Sequence, residues 1–205
     1  MPSHTFLSIS NTFANGLANG SKRFNCRYYL EASFNLNLNR TAIIIMLNPS
    51  STAKAHVFFG VQFNRLEDVD ETTYRVMSEL INPNSSASRA VGGNFDKIIT
   101  LNIYPYYSSN PKDINVIFNA GQTPSCYNIN FKIINRTIRN NPHAIIFLAW
   151  GKNTPINRND IKRIKAILQR NKVVHVWSKQ NQKTGFQQIP VASINKNCAM
   201  HGFFW

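Results

Sequence analysis

Hydrophobic residues in this chain are gathered into four short runs that contain few polar positions. The runs are Thr41–Leu47, Lys97–Leu101, Ala144–Trp150 and Lys172–Trp177, and most of their residues are β-branched, aromatic or otherwise apolar. Runs of this length and composition are typical of strands that are buried on both faces of a parallel sheet. We therefore predict four central strands.

Segments with helical spacing lie between these strands. Thr72–Ile81, Cys126–Arg139 and Asn159–Asn171 each repeat apolar residues every three or four positions. Strands that alternate with helices predict an α/β fold, here a three-layer sandwich with a mostly parallel central sheet. The 205 residues suit one domain, 1–205. Its first 21 residues, rich in Asn, Ser and Gly, are expected to be irregular or loosely packed, and Arg27–Leu30 is expected to form a short strand.

The charge of the chain is strongly one-sided. Lys and Arg number 23 against 9 Asp and Glu, which gives a formal net charge of +14. From Lys132 to Trp205 there are 13 basic residues and one acid, Asp160. Such a field favours a polyanionic partner, and nucleic acid fits best because phosphate contacts supply most non-specific affinity. The alternative is a basic surface that only keeps the protein in solution.

Several other classes of protein are excluded or disfavoured by composition. No apolar stretch approaches the roughly 20 residues that span a bilayer, and no segment is basic and apolar enough to lie on a membrane. Three Cys without a CxxC pair, and five His without HxH or HxxxH spacing, argue against a disulfide framework and a metal site. We expect a soluble, cytoplasmic, monomeric protein that needs no metal or cofactor.

Two asparagines and a glycine directly follow three of the predicted strands. Asn48 precedes Pro49, Asn102 follows Leu101, and Gly151 follows Trp150. In parallel sheets the carboxyl ends of the strands share one edge, where sites form. Pro49 biases Asn48 toward an extended backbone, and the Asn48 amide can hold a water, a carbonyl or a phosphate. An ordinary Asn-Pro turn is the alternative for this segment alone.

Taken together and in order, these segments resemble the uracil-DNA glycosylase superfamily. Met46-Leu47-Asn48-Pro49-Ser50 is similar to its first motif, in the Asn-Pro form of the mismatch-specific branch. Thr100–Tyr104 resembles the second strand end, and Ile146–Lys152 resembles a later strand that ends in Trp-Gly-Lys. The chain is also similar to a smaller family of bacterial and phage proteins, in which an Asp followed by Thr and Arg would match Asp70–Arg75. The resemblance spans roughly residues 27–190 and implies a glycosylase-like fold.

The resemblance implies roles for individual residues. Asn48 would position the attacking water, and Asn102 would contact the edge of a flipped base. Asp70 would be the carboxylate that stabilises the sugar cation, although an acid at the start of a helix also serves simply as a cap. Tyr104 and Phe59 are candidates for an aromatic platform under the base, with core packing as the alternative for each.

The same resemblance and the basic charge together predict how DNA would be held. Candidate phosphate contacts are Ser51, Lys54, Lys152, Lys162, Arg163, Lys183 and Ser193.

One departure from the superfamily concerns its last motif, a His-Pro-Ser loop that stabilises the departing base. The nearest segment here is Gly185–Ser193, which has Ile189 where the His would stand.

These features predict a monofunctional DNA glycosylase that hydrolyses the N-glycosidic bond and leaves an abasic site. Uracil-specific members block carbon 5 of the pyrimidine with a Tyr at the position of Ser50. The small Ser50 removes that barrier, so we expect a 5-substituted pyrimidine, such as a glucosylated hydroxymethylcytosine of phage DNA, and a role in antiviral defence. The alternatives are a non-catalytic nucleic-acid-binding protein with this fold and a hydrolase of small nucleotides.

Overall fold

One seven-stranded sheet organises the part of the chain that the structure, a computed structural model, describes: residues 4–17, 20–34, 37–47, 71–106, 125–150, 156–178 and 187–195. The strands are β1 (His4–Leu17), β2 (Gly20–Phe34), β3 (Thr41–Met46), β4 (Lys97–Asn102), β5 (Ile145–Ala149), β6 (Val176–Ser178) and β7 (Gln187–Gln188). The α-helices are α1 (Glu71–Ile81), α2 (Ser86–Ala90), α3 (Ser125–Asn140) and α4 (Arg158–Arg170). A 3₁₀ turn follows at Val191–Ser193.

The sheet has a parallel centre and antiparallel edges. Its strand order is β1-β2-β4-β3-β5-β6-β7. The strands β4, β3, β5 and β6 are parallel neighbours, whereas β1, β2 and β7 run antiparallel to the strands beside them. The predicted α/β fold with a largely parallel central sheet is confirmed at this level. The carboxyl ends of the four parallel strands meet at one edge of the sheet.

Helices cover both faces of the sheet because its central strands are apolar on both sides. In β3, Ile44 and Met46 belong to the core under α1 and α2, while Ile43 and Ile45 belong to the core under α3 and α4. All four side chains are at most 5% exposed. Alternation of this kind sends successive side chains to opposite faces of a strand. The result is three layers, with helices on either side of the sheet.

The predicted bounds of the helices agree with the observed bounds to within one or two residues, and so do those of three of the four predicted strands. The last strand is shorter than predicted. Lys172 has a left-handed backbone (φ 52°), and the N–H groups of Lys172 and Val173 donate to the carbonyls of Gln169 and Leu168. These bonds end α4 in a Schellman motif. The prediction that a strand begins at Lys172 is therefore wrong, because this residue still closes the helix.

The N-terminal segment is a long hairpin, and the prediction that residues 1–21 are irregular is wrong for the residues described. β1 pairs with β2 from His4–Phe34 to Leu17–Gly20. Backbone pairing here outweighs the low strand propensity of Asn, Ser and Gly. The register shifts between Ile9 and Ser10, which leaves Tyr28 as an extra residue of β2. This bulge explains why Tyr28 and Leu30 belong to cores on opposite faces of the sheet.

Candidate functional site

The ends of β3 and β4 are held together beyond the last residues of the strands. The N–H of Ile103 donates to the carbonyl of Met46 at 2.9 Å, and the N–H of Tyr104 donates to the carbonyl of Leu47 at 2.8 Å. The Met46-Leu47 segment that leads to Asn48 is thus fixed beside residues 102–104. Asn48 itself lies outside the described residues.

Asn102 ends β4 with a buried amide. The residue is 0% exposed, and neither its Oδ1 nor its Nδ2 has a hydrogen-bond partner among the described residues. It pairs with Met46 in the sheet and, by alternation along β4, shares a face with Ile98 and Thr100. A buried amide without partners costs about 1–3 kcal/mol. A donor and an acceptor are therefore left without partners at the strand end where the sequence predicts contact with a base.

Asn130 on α3 fixes the backbone of this strand end. Its Nδ2 donates to the carbonyl of Asn102 at 2.7 Å and to that of Ile103 at 2.9 Å. The residue is fully buried, and its Oδ1 has no partner among the described residues. Sequence reasoning missed Asn130, although a polar residue on the apolar face of a helix is a usable signal, since Asn130 interrupts the core positions Tyr127, Phe131 and Ile134. Asn130 positions Asn102 through the backbone.

Further unpartnered hydroxyl groups lie on the parallel strands. The Oγ1 of Thr100 and the Oγ of Ser178 are buried and have no hydrogen-bond partner among the described residues. Thr100 is two residues before Asn102 on the same face of β4, whereas Ser178 ends β6, three strands along the sheet order. Of these two hydroxyls, that of Thr100 is the one close to the Asn102 strand end.

Tyr104 has a different place from the predicted one. Its ring is 1% exposed and stacks on Tyr127, with the ring centroids 6.4 Å apart. Its hydroxyl donates to Oδ2 of Asp160 at 2.6 Å and accepts from the N–H of Asn157 at 3.1 Å. As a correction, Tyr104 is not a platform for a base, because its ring stacks on Tyr127 and its hydroxyl is bonded to Asp160 and Asn157. Its contacts support the strand end instead.

Asp160 is the centre of this buried network. It is 2% exposed and also accepts a hydrogen bond from the hydroxyl of Tyr127. The residue lies in the first turn of α4, three positions after the N-cap Asn157, where the helix dipole favours a negative charge. Asp160 thereby joins α4, α3 and the segment after β4. The sequence signal was present, since Asp160 is the one acid of the basic C-terminal third.

The network makes the two tyrosines weak acids. Burial raises the pKa of Tyr104 and Tyr127 far above the ordinary value, and for both residues the nearby Asp160 carboxylate raises the pKa further by its charge and its hydrogen bond. The Arg163 guanidinium partly opposes this increase in the pKa of Tyr127. Both phenols therefore stay protonated as hydrogen-bond donors at neutral pH.

We expect stability to fall steeply with pH in the alkaline range because of these phenols. Unfolded tyrosines ionise near pH 10, whereas the folded state keeps both protonated, so their contribution is complete below about pH 10 and is lost as pH rises toward the folded-state pKa values. Chemical denaturation at about pH 9 and pH 11 measures the loss. The Tyr104→Phe/Tyr127→Phe variant should lose less stability over this interval than the unchanged protein. Equal losses would contradict the raised pKa values.

The predicted phosphate contacts that the structure describes lie on α4 and the 3₁₀ turn. Lys162 is exposed, and Arg163 is half-buried with its guanidinium 3.9 Å from the centroid of the Phe131 ring. Ser193 is exposed in the 3₁₀ turn, which Lys165 joins to α4 by donating to the carbonyl of Ala192 at 2.6 Å. Ile189, at the position of the superfamily's His, is buried and offers no polar side-chain atom.

The remaining predicted site residues lie outside the described part of the chain. They are the two predicted catalytic residues, two predicted base contacts and four predicted phosphate contacts: Asn48, Asp70, Ser50, Phe59, Ser51, Lys54, Lys152 and Lys183. Of the predicted set, the structure brings Asn102 and Tyr104 together at the end of β4. Arg163 is connected to them through Tyr127 and Asp160.

The described part of the chain contains neither a cluster of metal ligands nor a membrane-spanning helix. Among its residues, no group of three or more His, Cys, Asp or Glu side chains is arranged to hold a metal ion. None of the described helices is long and apolar enough to cross a membrane.

The chain matches a protein family that is described as "Protein of unknown function (DUF1643)". The match covers residues 64–188, more than half of the 205-residue chain. It includes Asn102, Asn130 and Asp160, and it begins after Asn48. Curated proteins and solved structures give no match.

Proposed function

This chain belongs to the DUF1643 family, and we propose that it is a DNA glycosylase. In this proposal it hydrolyses the N-glycosidic bond of a flipped, modified base, leaves an abasic site and uses no cofactor. The observation that supports the proposal most directly is the Asn102 amide, which is fully buried and unpartnered among the described residues at the carboxyl end of β4. The resemblance of the strand-end motifs to the uracil-DNA glycosylase superfamily is the second support, and the α/β architecture with a largely parallel central sheet is compatible with it.

An asparagine suits the edge of a nucleobase. Its amide presents one acceptor oxygen and two N–H donors, and the hydrogen-bonding edge of a pyrimidine offers the complementary groups side by side. The cost of burying an unpaired amide is recovered when such an edge binds. A surface residue would gain much less, because water already satisfies its hydrogen bonds.

The chemistry is assigned to residues around this amide. Asn48 would orient the attacking water, and Asp70 would stabilise the positive charge that develops on the sugar as the base departs. Asp70 directly precedes Glu71, the first residue of α1. The helix α1 packs on the same face of the sheet as Ile98, and Asn102 belongs to that face. Lys152 corresponds to a superfamily position outside the chemical centre, so a Schiff base with the sugar is not part of the proposal.

The substrate is proposed to be a pyrimidine with a group on carbon 5. Ser50 and the small residues after it, Ser51, Thr52 and Ala53, leave no bulky side chain to exclude such a group. Exclusion of this kind requires bulk, so strict specificity for uracil is difficult to build here. Glucosylated hydroxymethylcytosine in phage DNA is the leading substrate, and its removal would act as an antiviral defence.

We expect the protein to release a 5-substituted cytosine from DNA. The test uses duplexes that differ only at one position, which carries cytosine, uracil, hydroxymethylcytosine or its glucosylated form. Mass spectrometry detects the free base, and alkaline cleavage detects the abasic site. Ser50→Tyr should lower release from the glucosylated duplex by at least roughly tenfold, because the ring would occupy the space of the substituent.

The opposite results are equally informative. Release of uracil alone would overturn the substrate proposal while leaving a glycosylase. Salt-dependent binding to every duplex, with no base released from any, would overturn the glycosylase and leave a non-catalytic nucleic-acid-binding protein. A matched Ser51→Tyr variant shows whether a bulky ring next to position 50 disturbs the protein in general.

A further inference from the structure

The helical layer formed by α3 and α4 has a surface on which every charged side chain is basic. The two helices carry eight cations and one acid. The acid, Asp160, is buried and bonded to Tyr104 and Tyr127, so its charge does not reach the surface. The eight cations are Lys132, Arg136 and Arg139 on α3, and Arg158, Lys162, Arg163, Lys165 and Arg170 on α4.

The opposite layer differs in charge. The helices α1 and α2 contain Glu71 and Glu79 against Arg75 and Arg89, so their charges balance. The basic excess therefore belongs to one layer rather than to the helices in general. A surface that served only solubility would have no need of this segregation, whereas binding a polyanion requires it.

A groove runs between α3 and α4 on this layer. It has a volume of about 410 Å³, and its lining includes Lys132, Arg163 and Arg170 together with the amides of Asn128 and Asn135. Cations and amide N–H groups are the donors that most often contact phosphate oxygens. Lys132 lies midway along α3, and Arg163 and Arg170 are two turns apart on α4. Donors that can bind phosphate oxygens are therefore distributed along the groove.

Arg163 is held in place within the groove. Its guanidinium lies 3.9 Å from the ring centroid of Phe131 and 5.0 Å from that of Tyr127, and its Nη2 donates to Oδ1 of Asn128 at 3.4 Å. An arginine that already stacks on aromatic rings loses less conformational entropy when it binds an anion. Its position is therefore organised before a ligand arrives.

We propose that this groove and the cations beside it bind the phosphodiester backbone of nucleic acid, on a surface separate from the Asn102 strand end. The cations of α4 run from Arg158 to Arg170, an axial rise of about 18 Å, over which a duplex carries about eleven phosphate charges. One nucleotide is much shorter than this row of cations. A membrane fits less well, because Ile129 is the one large hydrophobic residue exposed on the described part of these two helices.

The test is the salt dependence of binding to a fluorescent duplex of random sequence, with the full chain. Lys132→Gln/Arg170→Gln removes two cations of the groove and leaves Arg163 and the core in place. The matched control, Arg89→Gln/Lys97→Gln, removes two charges from α2 and from the start of β4. We expect the groove variant to lower the slope of log K against log salt by about 1–2 and to weaken binding roughly tenfold, with the control near the unchanged protein.

Three outcomes would overturn the proposal. They are an unchanged slope in the groove variant, an equal loss in the control variant, and binding of anionic phosphatidylserine vesicles in preference to the duplex. The inference does not rest on the proposed glycosylase. Duplex binding that depends on the groove cations, without release of any base, would overturn the proposed function alone.

Discussion

Asn102→Leu is expected to stabilise the protein and to remove most of the proposed base release. Leucine has nearly the shape of asparagine but no polar atoms, and the amide it replaces is fully buried without hydrogen-bond partners among the described residues. Removing that uncompensated burial should raise the free energy of unfolding by about 1–3 kcal/mol. Losing the only contact proposed for the base edge should lower base release at least roughly 100-fold. Denaturant unfolding and single-turnover base release measure the two effects.

Asn130→Leu is the matched control because it makes the same substitution at a buried amide that does form hydrogen bonds. The Nδ2 of Asn130 donates to the carbonyls of Asn102 and Ile103, so its loss should lower the free energy of unfolding by about 1–3 kcal/mol. Opposite signs for the two variants would separate an amide kept for a ligand from an amide kept for the fold. If both variants are destabilised alike, Asn102 has a structural role and the proposed site loses its main support.

Asp160→Leu should destabilise the protein more than Asn130→Leu does. Two tyrosine hydroxyls would lose a charged acceptor inside the core, and a hydrogen bond to a charged group contributes about 1.5–3 kcal/mol. We expect a loss of about 3–5 kcal/mol in the free energy of unfolding, measured by denaturant titration. Asp160→Asn should lose less, because one amide oxygen can still accept.

A triple variant isolates the cause of that loss. Tyr104→Phe/Tyr127→Phe/Asp160→Leu removes the donors together with the acceptor, so neither phenol hydroxyl is left unpaired in the core. It should recover much of the stability that Asp160→Leu loses. Two results would contradict this account: a triple variant that is the least stable of the set, or an Asp160→Leu variant whose free energy of unfolding is within about 0.5 kcal/mol of that of the unchanged protein. Either would show that the hydrogen bonds of Asp160 do not hold α4 to the segment after β4.

The parallel centre of the sheet could be predicted because its physical cause is local in the sequence. Strands buried on both faces must be apolar at successive positions, and Thr41–Met46 and Lys97–Asn102 show this directly. The hairpin could not be predicted in the same way. Its strands depend on pairing between β1 and β2, and its Asn, Ser and Gly residues carry little intrinsic preference for a strand.

The candidate site was predictable only in part, for a related reason. Asn102 could be identified because it directly follows an apolar run. The partners that shape its surroundings, Asn130 and Asp160, are distant in sequence and are brought to it by the packing of α3 and α4 on the sheet. Tyr104 shows the limit most clearly. Its position after a strand end predicts an exposed aromatic ring, but only the fold reveals the carboxylate that holds its hydroxyl inside the core.

The strand order has a consequence for how the chain can assemble during synthesis. The strand β4 lies between β2 and β3, although β3 follows β2 directly along the chain. A growing chain that has emerged only to Met46 therefore has a hairpin and a central strand with no pairing between them. When residues 97–102 emerge, a single strand gives both of them their partner. We expect β4 to join the hairpin and β3 late, so that a ribosome-bound chain ending before Lys97 would expose one edge of β2 and both edges of β3.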